Sequence, residues 1–281
     1  LDSLIFFNLS WNISNSFVPI KQILLLLRLT HLSDIHVKVI IKMFKIGLDI
    51  GSTTAKIVVI DENDKIIFSR YRRHNTQMMD VVMSYLNELE SIIGNEKVSL
   101  NVSGSVGMGL AELYDFQFIQ EVVAASKTIQ RHYPIAQTMI DIGGEDAKIV
   151  FFKNGNADEL RMNGNCAGGT GAFIDQMAIL LGISTEELND LALKSNQIYP
   201  IASRCGVFCK TDIQNLIAKN VSREDIAASI FHAVAVQTIS TLAHGCEIKT
   251  PILFCGGPLS FINALRNAFK KNLSINDSDI I

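Results

Sequence analysis

Two glycine turns, each preceded by an aspartate, have residue types and spacing that suit phosphate and metal binding. Residues 48–58 recur as residues 140–150, with seven of eleven positions identical. Each copy reads as an apolar strand that ends in an acidic residue, then a glycine turn and a second β-rich strand. A strand, turn and strand unit that occurs twice in one chain predicts two hairpins that hold one nucleoside triphosphate from opposite sides.

The residue types of both turns fit this chemistry. Glycines let the backbone approach a ligand closely, and hydroxyl groups add hydrogen-bond donors for phosphate oxygens. Carboxylates at the strand ends suit Mg²⁺, held partly through water. A single Asp-x-Gly turn is more often an ordinary hairpin, but the duplication favours phosphate binding. The candidate residues are Asp49, Gly51, Ser52, Thr53, Thr54, Asp141, Gly143 and Gly144.

The apolar pattern predicts the elements that must position these turns. We predict strands at residues 45–49, 55–60, 66–72 and 97–103, a second meander over residues 137–163, and a strand before residue 256. We predict helices near residues 78–93, 119–132, 170–181, 184–194, 211–219, 223–244 and 260–272. Alternating strands and helices in two similar halves indicate a duplicated α/β fold with two lobes.

A third glycine turn, Gly256-Gly257, follows the last predicted strand. Glycines let a flat base lie on the backbone, so this turn is a candidate for the adenosine side of the nucleotide. A plain connection between a strand and a helix is the alternative.

Length, charge and cysteine content narrow the function classes. The chain has 281 residues, a net charge of −3 and 19% charged residues. That length suits two lobes, and that charge gives no sign of a nucleic-acid footprint or a polybasic membrane patch, so we expect neither partner. Five cysteines, an odd number, favour a reducing cytoplasm in which thiols serve as ligands or core residues, and we expect no structural disulfide.

The first 42 residues differ from the rest of the chain. They hold the single tryptophan, Trp11, and their longest apolar run is too short to span a membrane. Met43 starts a run that leads directly into the first strand, so we expect it to be the natural start and residues 1–42 to be a non-native or disordered leader. We then expect the first lobe at residues 43–140 and the second at residues 141–281.

Two of the cysteines lie where a metal ligand is plausible. Cys166 and Cys205 each precede a predicted helix, and the N-terminus of a helix favours the thiolate form that binds metal. An iron–sulfur cluster takes four thiolates, so two per chain suffice only in a symmetric dimer. Structural zinc and core packing remain alternatives at this point. For Cys209, Cys246 and Cys255 we expect core packing.

Five ordered motifs resemble the activator ATPases of 2-hydroxyacyl-CoA dehydratases and the related benzoyl-CoA reductase subunits. The similarity runs from Met43 to the C-terminus. The motifs lie at residues 48–56, 141–148, 165–173, 203–208 and 255–258.

The resemblance implies the actin-like ATPase fold that is shared with sugar kinases and heat-shock chaperones. It also implies a homodimer with one 4Fe-4S cluster, held by Cys166 and Cys205 of each subunit. ATP or ADP with Mg²⁺, a dehydratase component and a low-potential electron donor such as ferredoxin or flavodoxin are the other expected ligands and partners. The motif match adds Lys56, Glu145, Gly168, Gly169 and Thr170 to the expected nucleotide contacts.

Three features depart from the family pattern. Glu145 stands where the family commonly has Gln, which adds negative charge near a triphosphate. The histidine that often follows the residue matching Glu121 is absent, because Val122 stands there. The sequence ends at Ile281, before the segment that usually closes such domains, so we expect the second lobe to be C-terminally truncated.

Together with these residues, the resemblance implies an ATP-dependent one-electron transfer protein of the cytoplasm. Asp49 and Asp141 would hold Mg²⁺ and align water, and Glu121 would orient the attacking water. A small-molecule kinase of the same fold is the rival enzyme, although no aspartate outside the two hairpins has an obvious claim as its base. A nucleotide-switched binding protein without a cluster is the rival from another class.

Overall fold

The computed structural model describes residues 18–21, 43–163, 168–202 and 206–281, without the side chains of Val18, Gly206 and Val207. Backbone packing divides the chain into two compact units, residues 1–132 and residues 133–281. Each unit is built on its own sheet and has its own hydrophobic core.

Unit 1 contains a mixed sheet with the strand order β1-β5-β2-β3-β4, and β6 pairs with β5. Its strands are β1 Val18–Pro19, β2 Phe44–Ile50, β3 Thr54–Ile60, β4 Ile66–Arg73, β5 Lys97–Ser103 and β6 Gln117–Phe118. The consecutive strands β2, β3 and β4 form an antiparallel meander, whereas β5 runs parallel to β2. Buried β-branched and aliphatic residues on β2 and β3 explain why these strands are central.

Within residues 43–132, three helices accompany this sheet: α1 Met78–Ile93, α2 Gly107–Tyr114 and α3 Glu121–His132. Helix α1 buries one apolar face, on which Tyr85 and Leu89 are fully buried. The Tyr85 hydroxyl donates to the Ala55 carbonyl oxygen at 3.1 Å. Burial raises the pKa of Tyr85 to about 12, so this donor keeps its proton and ties α1 to β3.

Unit 2 repeats the meander and its parallel neighbour. Its strands are β7 Thr138–Ile142, β8 Ala147–Lys153, β9 Asn156–Asn163 and β10 Ile252–Cys255, in the order β10-β7-β8-β9. β7, β8 and β9 are antiparallel, and β10 is parallel to β7. β7 lies wholly within unit 2, which begins at Tyr133, and the expected lobe boundary between residues 140 and 141 stays a prediction.

The remaining helices belong to unit 2. They are α4 Gly171–Leu181, α5 Thr185–Ala192, α6 Gly206–Ala218, α7 Arg223–Leu242, α8 Gly257–Phe261 and α9 Asn263–Leu273, followed by a 3-10 turn at Asp277–Asp279. Among the described residues, α7 alone is long and apolar enough to cross a bilayer, but 67% of its apolar window is buried in the fold. It therefore reads as a core helix of unit 2.

Most of the elements expected from the sequence are present, but α2 and β6 were not predicted. Gly107 and Gly109 lower the helix propensity of α2, so packing rather than local preference forms this helix. Helix α6 begins at Gly206 instead of residue 211.

The expectation of core packing is confirmed for Cys209 and Cys255, which are buried. It is wrong for Cys246, which is only partly buried. The Cys246 thiol donates to Glu159 at 3.0 Å, and this hydrogen bond raises the pKa of the thiol. A polar surface pair, not the core, is its environment.

A short part of the expected leader packs on unit 1. Val18 and Pro19 pair with β5, and Ile20 is fully buried in the core of this unit. The rest of residues 1–42 lies outside the described residues, and the expectation of a non-native leader stays a prediction.

Replacement of Leu89 by Ala should lower the free energy of unfolding by about 2–5 kcal/mol, because Leu89 is fully buried and its loss leaves a cavity. The control is Ile92→Ala on the same helix, where the side chain is 55% exposed and the expected change is within about 0.5 kcal/mol. Urea unfolding followed by circular dichroism measures both values. Equal destabilisation of the two variants would contradict the assigned face of α1.

Candidate functional site

The first predicted phosphate turn joins β2 to β3 in unit 1. The Gly51 N–H donates to the Thr54 carbonyl oxygen at 3.0 Å, which closes the turn. Within the described part of the chain, the backbone N–H groups of Ser52 and Thr53 have no protein acceptor. Successive N–H groups of this kind form a concave anion-binding site.

Asp49 lies at the end of β2, directly across from Lys56 on β3. The Lys56 ammonium is 2.9 Å from a carboxylate oxygen of Asp49, and Asp49 is only 5% exposed. Lys56 therefore offsets the charge of Asp49 in this structure, and its direct contact with phosphate stays a prediction.

The end of β5 forms a second edge beside Asp49, which sequence reasoning missed. Ser103 is the register partner of Asp49, and its buried hydroxyl has no hydrogen-bond partner among the described residues. Gly104 has φ +89°, and a Cβ there would lie 2.5 Å from a carboxylate oxygen of Asp49. The sequence does contain a signal for Gly104, because it directly follows a strand, as Gly256 does.

The second predicted phosphate turn joins β7 to β8 in unit 2 and has the same closure, with the Gly143 N–H 2.8 Å from the Asp146 carbonyl oxygen. The first backbone N–H groups of α4 donate hydrogen bonds to two carbonyl oxygens of this turn. The Gly171 N–H donates to the Gly143 carbonyl oxygen at 2.9 Å, and the Ala172 N–H donates to that of Gly144 at 2.7 Å. The turn is thus fixed by the helix that follows β9.

A charged pair beside the second turn involves the turn residue Asp146. Lys148 is the register partner of Asp141, as Lys56 is of Asp49. The Lys148 ammonium lies 2.8 Å from the Asp146 carboxylate, and Lys148 is nearly buried. Lys148 and Asp146 were missed, although the repeat places Lys148 at the position of Lys56. Glu145 is exposed on the turn.

The third predicted glycine turn lies against the second within unit 2. Gly256 has φ +85°, and a Cβ there would lie 2.5 Å from a carboxylate oxygen of Asp141. A Cβ at Gly171 would meet the Gly143 carbonyl oxygen and Pro258, both at 3.2 Å. Gly257 starts α8. The two strand ends and the start of α4 therefore meet at one edge of the sheet.

A family model supports the assignment of this geometry. The model described as the BadF/BadG/BcrA/BcrD ATPase family matches residues 46–278. The chain belongs to this ATPase family.

Relatives and solved structures agree with the membership. The (R)-2-hydroxyglutaryl-CoA dehydratase activating ATPase of Acidaminococcus fermentans is 27% identical over 234 residues, 83% of this chain and 89% of the relative. The crystal structure of component A of that dehydratase has a TM-score of 0.74 at 25% identity and covers 85% of this chain and 90% of its own. The ADPNP-bound activator of the 2-hydroxyisocaproyl-CoA dehydratase from Clostridium difficile has a TM-score of 0.72 at 27% identity, with 85% and 88% covered.

The fold expectation is confirmed by these findings. The chain has the duplicated actin-like ATPase fold, with one repeat of the meander and its parallel strand in each unit. As a member of this family it is an ATPase.

Three of the expected nucleotide contacts of this ATPase are buried. Gly168, Gly169 and Thr170 precede α4, and Thr170 is 0% exposed. A Cβ on Gly169 would meet the Thr238 hydroxyl at 3.1 Å and Gln237 at 3.3 Å. In this structure the segment packs against α7 and supports the start of α4, and a direct nucleotide contact stays a prediction.

The expected cluster ligands, Cys166 and Cys205, lie outside the described residues, but their flanking segments are described. Asn163, at the end of β9, accepts from the Ala147 N–H at 2.6 Å and donates to the Gly168 carbonyl oxygen at 3.2 Å. These two bonds connect Gly168 through Asn163 to Ala147, the first residue of β8 after the second turn. Sequence reasoning assigned no contact to Asn163, which precedes the motif at residues 165–173.

Glu121, the expected water-orienting residue, begins α3 in unit 1 and is partly buried. Its catalytic role, like those of Asp49 and Asp141, stays a prediction.

Replacement of Gly104 or Gly256 by Ala should weaken Mg·ATP binding by at least about tenfold, because a Cβ must displace the neighbouring strand end and its aspartate. The control is Gly109→Ala, where a Cβ would meet no atom within 4 Å. Isothermal titration calorimetry measures the affinities. Wild-type affinity in both Gly104→Ala and Gly256→Ala would remove these strand ends from the site.

Proposed function

We propose that this chain is the ATP-dependent activator of a 2-hydroxyacyl-CoA dehydratase and transfers one electron to it from a 4Fe-4S cluster. The relatives named as dehydratase activators support the partner class. The observation that carries the proposal is the pair of hydrogen bonds that Asn163 makes with Ala147, directly after the second phosphate turn, and with Gly168, two residues after Cys166 in the sequence.

In the proposed arrangement these bonds would link the nucleotide site to the cluster ligand Cys166 within one unit. Both the start of α4 and the end of β9 are hydrogen-bonded to the hairpin of Gly143 and Gly144. A change of charge at this hairpin, as γ-phosphate is lost, would therefore shift the segment around Cys166 directly. Coupling of this kind needs a structural element that adopts two discrete arrangements and contacts both sites.

In the proposed nucleotide complex, each turn offers backbone N–H donors to phosphate oxygens. Those of unit 1 are the N–H groups of Ser52 and Thr53, and those of unit 2 are the N–H groups of Gly144 and Glu145. Asp49 and Asp141 hold Mg²⁺, and Gly256 and Gly257 lie beneath the adenosine. Glu121 orients the attacking water.

The residues beside Asp49 fit a hard cation. Mg²⁺ takes oxygen ligands and keeps several waters. Asp49 offers a carboxylate, and the unpartnered, buried Ser103 hydroxyl beside it is suited to accept or donate a hydrogen bond to a metal-bound water. The two charged pairs, Lys56 with Asp49 and Lys148 with Asp146, limit the negative charge that the triphosphate meets.

The donor set of the chain also fits the cluster. Cysteine thiolates are the usual ligands of iron–sulfur clusters, and two per chain complete a set of four in a homodimer. In the described ranges no group of three or more His, Cys, Asp and Glu residues forms another metal site. When bound, the cluster supplies one-electron chemistry at low potential.

The proposed partners follow from this role. They are a second copy of the chain, the dehydratase component and a low-potential donor such as ferredoxin or flavodoxin. We place the protein in the cytoplasm, since reduced thiolates suit a reducing compartment.

Anaerobically purified protein should contain about two irons and two acid-labile sulfides per chain, because one 4Fe-4S cluster is shared by two chains. The Cys166→Ser/Cys205→Ser double variant should contain none. Cys246→Ser is the matched control and should keep the iron, since this thiol contacts Glu159 at 3.0 Å. A folded, ATP-binding wild type without iron would favour the kinase or the binding-switch alternative.

Replacement of Asn163 by Ala should separate the two activities of the activator. ATP hydrolysis should persist, whereas ATP-dependent electron transfer to the dehydratase component should fall by roughly tenfold, because the hydrogen bonds of Asn163 with Ala147 and Gly168 are lost. Met162→Ala, on the same strand and 52% exposed, is the control. Parallel loss of both activities, or of neither, would contradict the coupling route. Electron transfer is measured by the visible absorbance of the oxidised cluster.

A further inference from the structure

A phosphate turn works only if its carbonyl groups point away from the anion. Gly51 has no side chain, so the peptide that follows it can rotate at little cost and bring its carbonyl oxygen toward the phosphate. A carbonyl oxygen there would repel the phosphate oxygens. Something must therefore hold the Gly51 carbonyl in unit 1.

His74 provides that contact. It follows β4, is only 6% exposed, and its Nε2 lies 3.0 Å from the Gly51 carbonyl oxygen. Its backbone N–H also donates to the Thr53 carbonyl oxygen at 3.1 Å. His74 thus contacts two carbonyl oxygens of the turn, and a third, that of Thr54, accepts from the Gly51 N–H.

The surrounding hydrogen bonds define the tautomer of His74. The Thr76 N–H donates to Nδ1 at 3.2 Å, so Nδ1 is the acceptor and carries no proton. In the neutral imidazole the proton then lies on Nε2, which donates to Gly51. Each ring nitrogen has one partner.

The two residues after His74 have positive φ angles, and this conformation accompanies the hydrogen bond from the Thr76 N–H to Nδ1. The Gln77 N–H donates to the His74 carbonyl oxygen at 2.7 Å, and φ is +46° at Asn75 and +67° at Thr76. Positive φ at both central positions is typical of a type I′ turn, but a β-branched residue such as Thr76 is unfavourable there. The turn keeps this conformation and presents the Thr76 N–H to Nδ1.

Unit 2 meets the same requirement without a histidine. There the Gly143 and Gly144 carbonyl oxygens accept from the first N–H groups of α4, at 2.9 and 2.7 Å. Gly51 of unit 1 corresponds to Gly143 of unit 2. The Gly51 carbonyl oxygen contacts the imidazole of His74, whereas that of Gly143 accepts from the first N–H of α4.

We propose that His74 is a positioning residue for nucleotide binding, which holds the Gly51 carbonyl away from the phosphates through Nε2–H. This inference rests on the proposed nucleotide site and assigns His74 no contact with the nucleotide.

Two substitutions separate the two ring nitrogens. In His74→Gln the side-chain amide reaches toward Gly51 and can still donate to its carbonyl, but the acceptor for Thr76 is lost. In His74→Asn the amide oxygen can accept from Thr76, as in an Asx turn, but the donor no longer reaches Gly51. His132→Asn, an exposed residue at the end of α3, is the matched control.

Titration calorimetry with Mg·ATP on the full chain tests the proposal. We expect His74→Asn to bind about 3- to 10-fold more weakly than wild type, and His74→Gln and His132→Asn to bind within about twofold of it. Wild-type affinity in His74→Asn, or equal loss in the Gln and Asn variants, would overturn the role of Nε2. Absence of binding in wild type would instead reject the proposed nucleotide site.

A second measurement does not depend on how the variants fold. The ¹⁵N spectrum of wild-type imidazoles, with the His74 signals assigned by their loss in His74→Gln, should show the neutral tautomer with the proton on Nε2. A proton on Nδ1 would overturn the proposal, because Nε2 would then have no hydrogen to donate to Gly51.

Discussion

The hydrogen bonds that hold the carbonyl groups of the two hairpin turns are the constraint on which the rest of the site depends. An anion-binding turn needs its N–H groups outward and its carbonyls held back. Both turns close with the same bond, from the N–H of Gly51 or Gly143 to the carbonyl three residues later. Other carbonyl groups of the turns accept hydrogen bonds from neighbouring elements, so the positions of those elements are constrained by the turns.

The two units satisfy this constraint with different donors on the same scaffold. In unit 1 the residue after β4, His74, supplies the donors. In unit 2 the start of α4 supplies them, and Asn163 at the end of β9 holds the hairpin from the other side. Because α4 and Asn163 also flank residues 164–167, unit 2 is suited to connect nucleotide chemistry with a ligand segment. Unit 1 has no described connection of that kind.

Much of this could be predicted because the informative patterns are local. The repeated Asp-Ile-Gly segments, the alternation in β2 and β3 and the apolar face of α1 are all visible in the sequence. The side chains that support the turns are not, since His74 belongs to no motif and contacts Gly51, 23 positions earlier in the chain, and the Asn163 side chain accepts from Ala147, 16 positions earlier. The ion pair of Lys148 with Asp146 has no counterpart of the same residue types in unit 1, because Thr54 stands where unit 2 has Asp146.

Amide hydrogen exchange on the full chain, with and without Mg²⁺ and a non-hydrolysable ATP analogue, tests most directly whether each of the two turns takes part in nucleotide binding. The account predicts that peptides spanning residues 51–54 and residues 143–146 are both protected when the nucleotide is added, while a peptide from α9 is unchanged. Protection of only one turn, or of neither in a protein that binds the analogue, would contradict it.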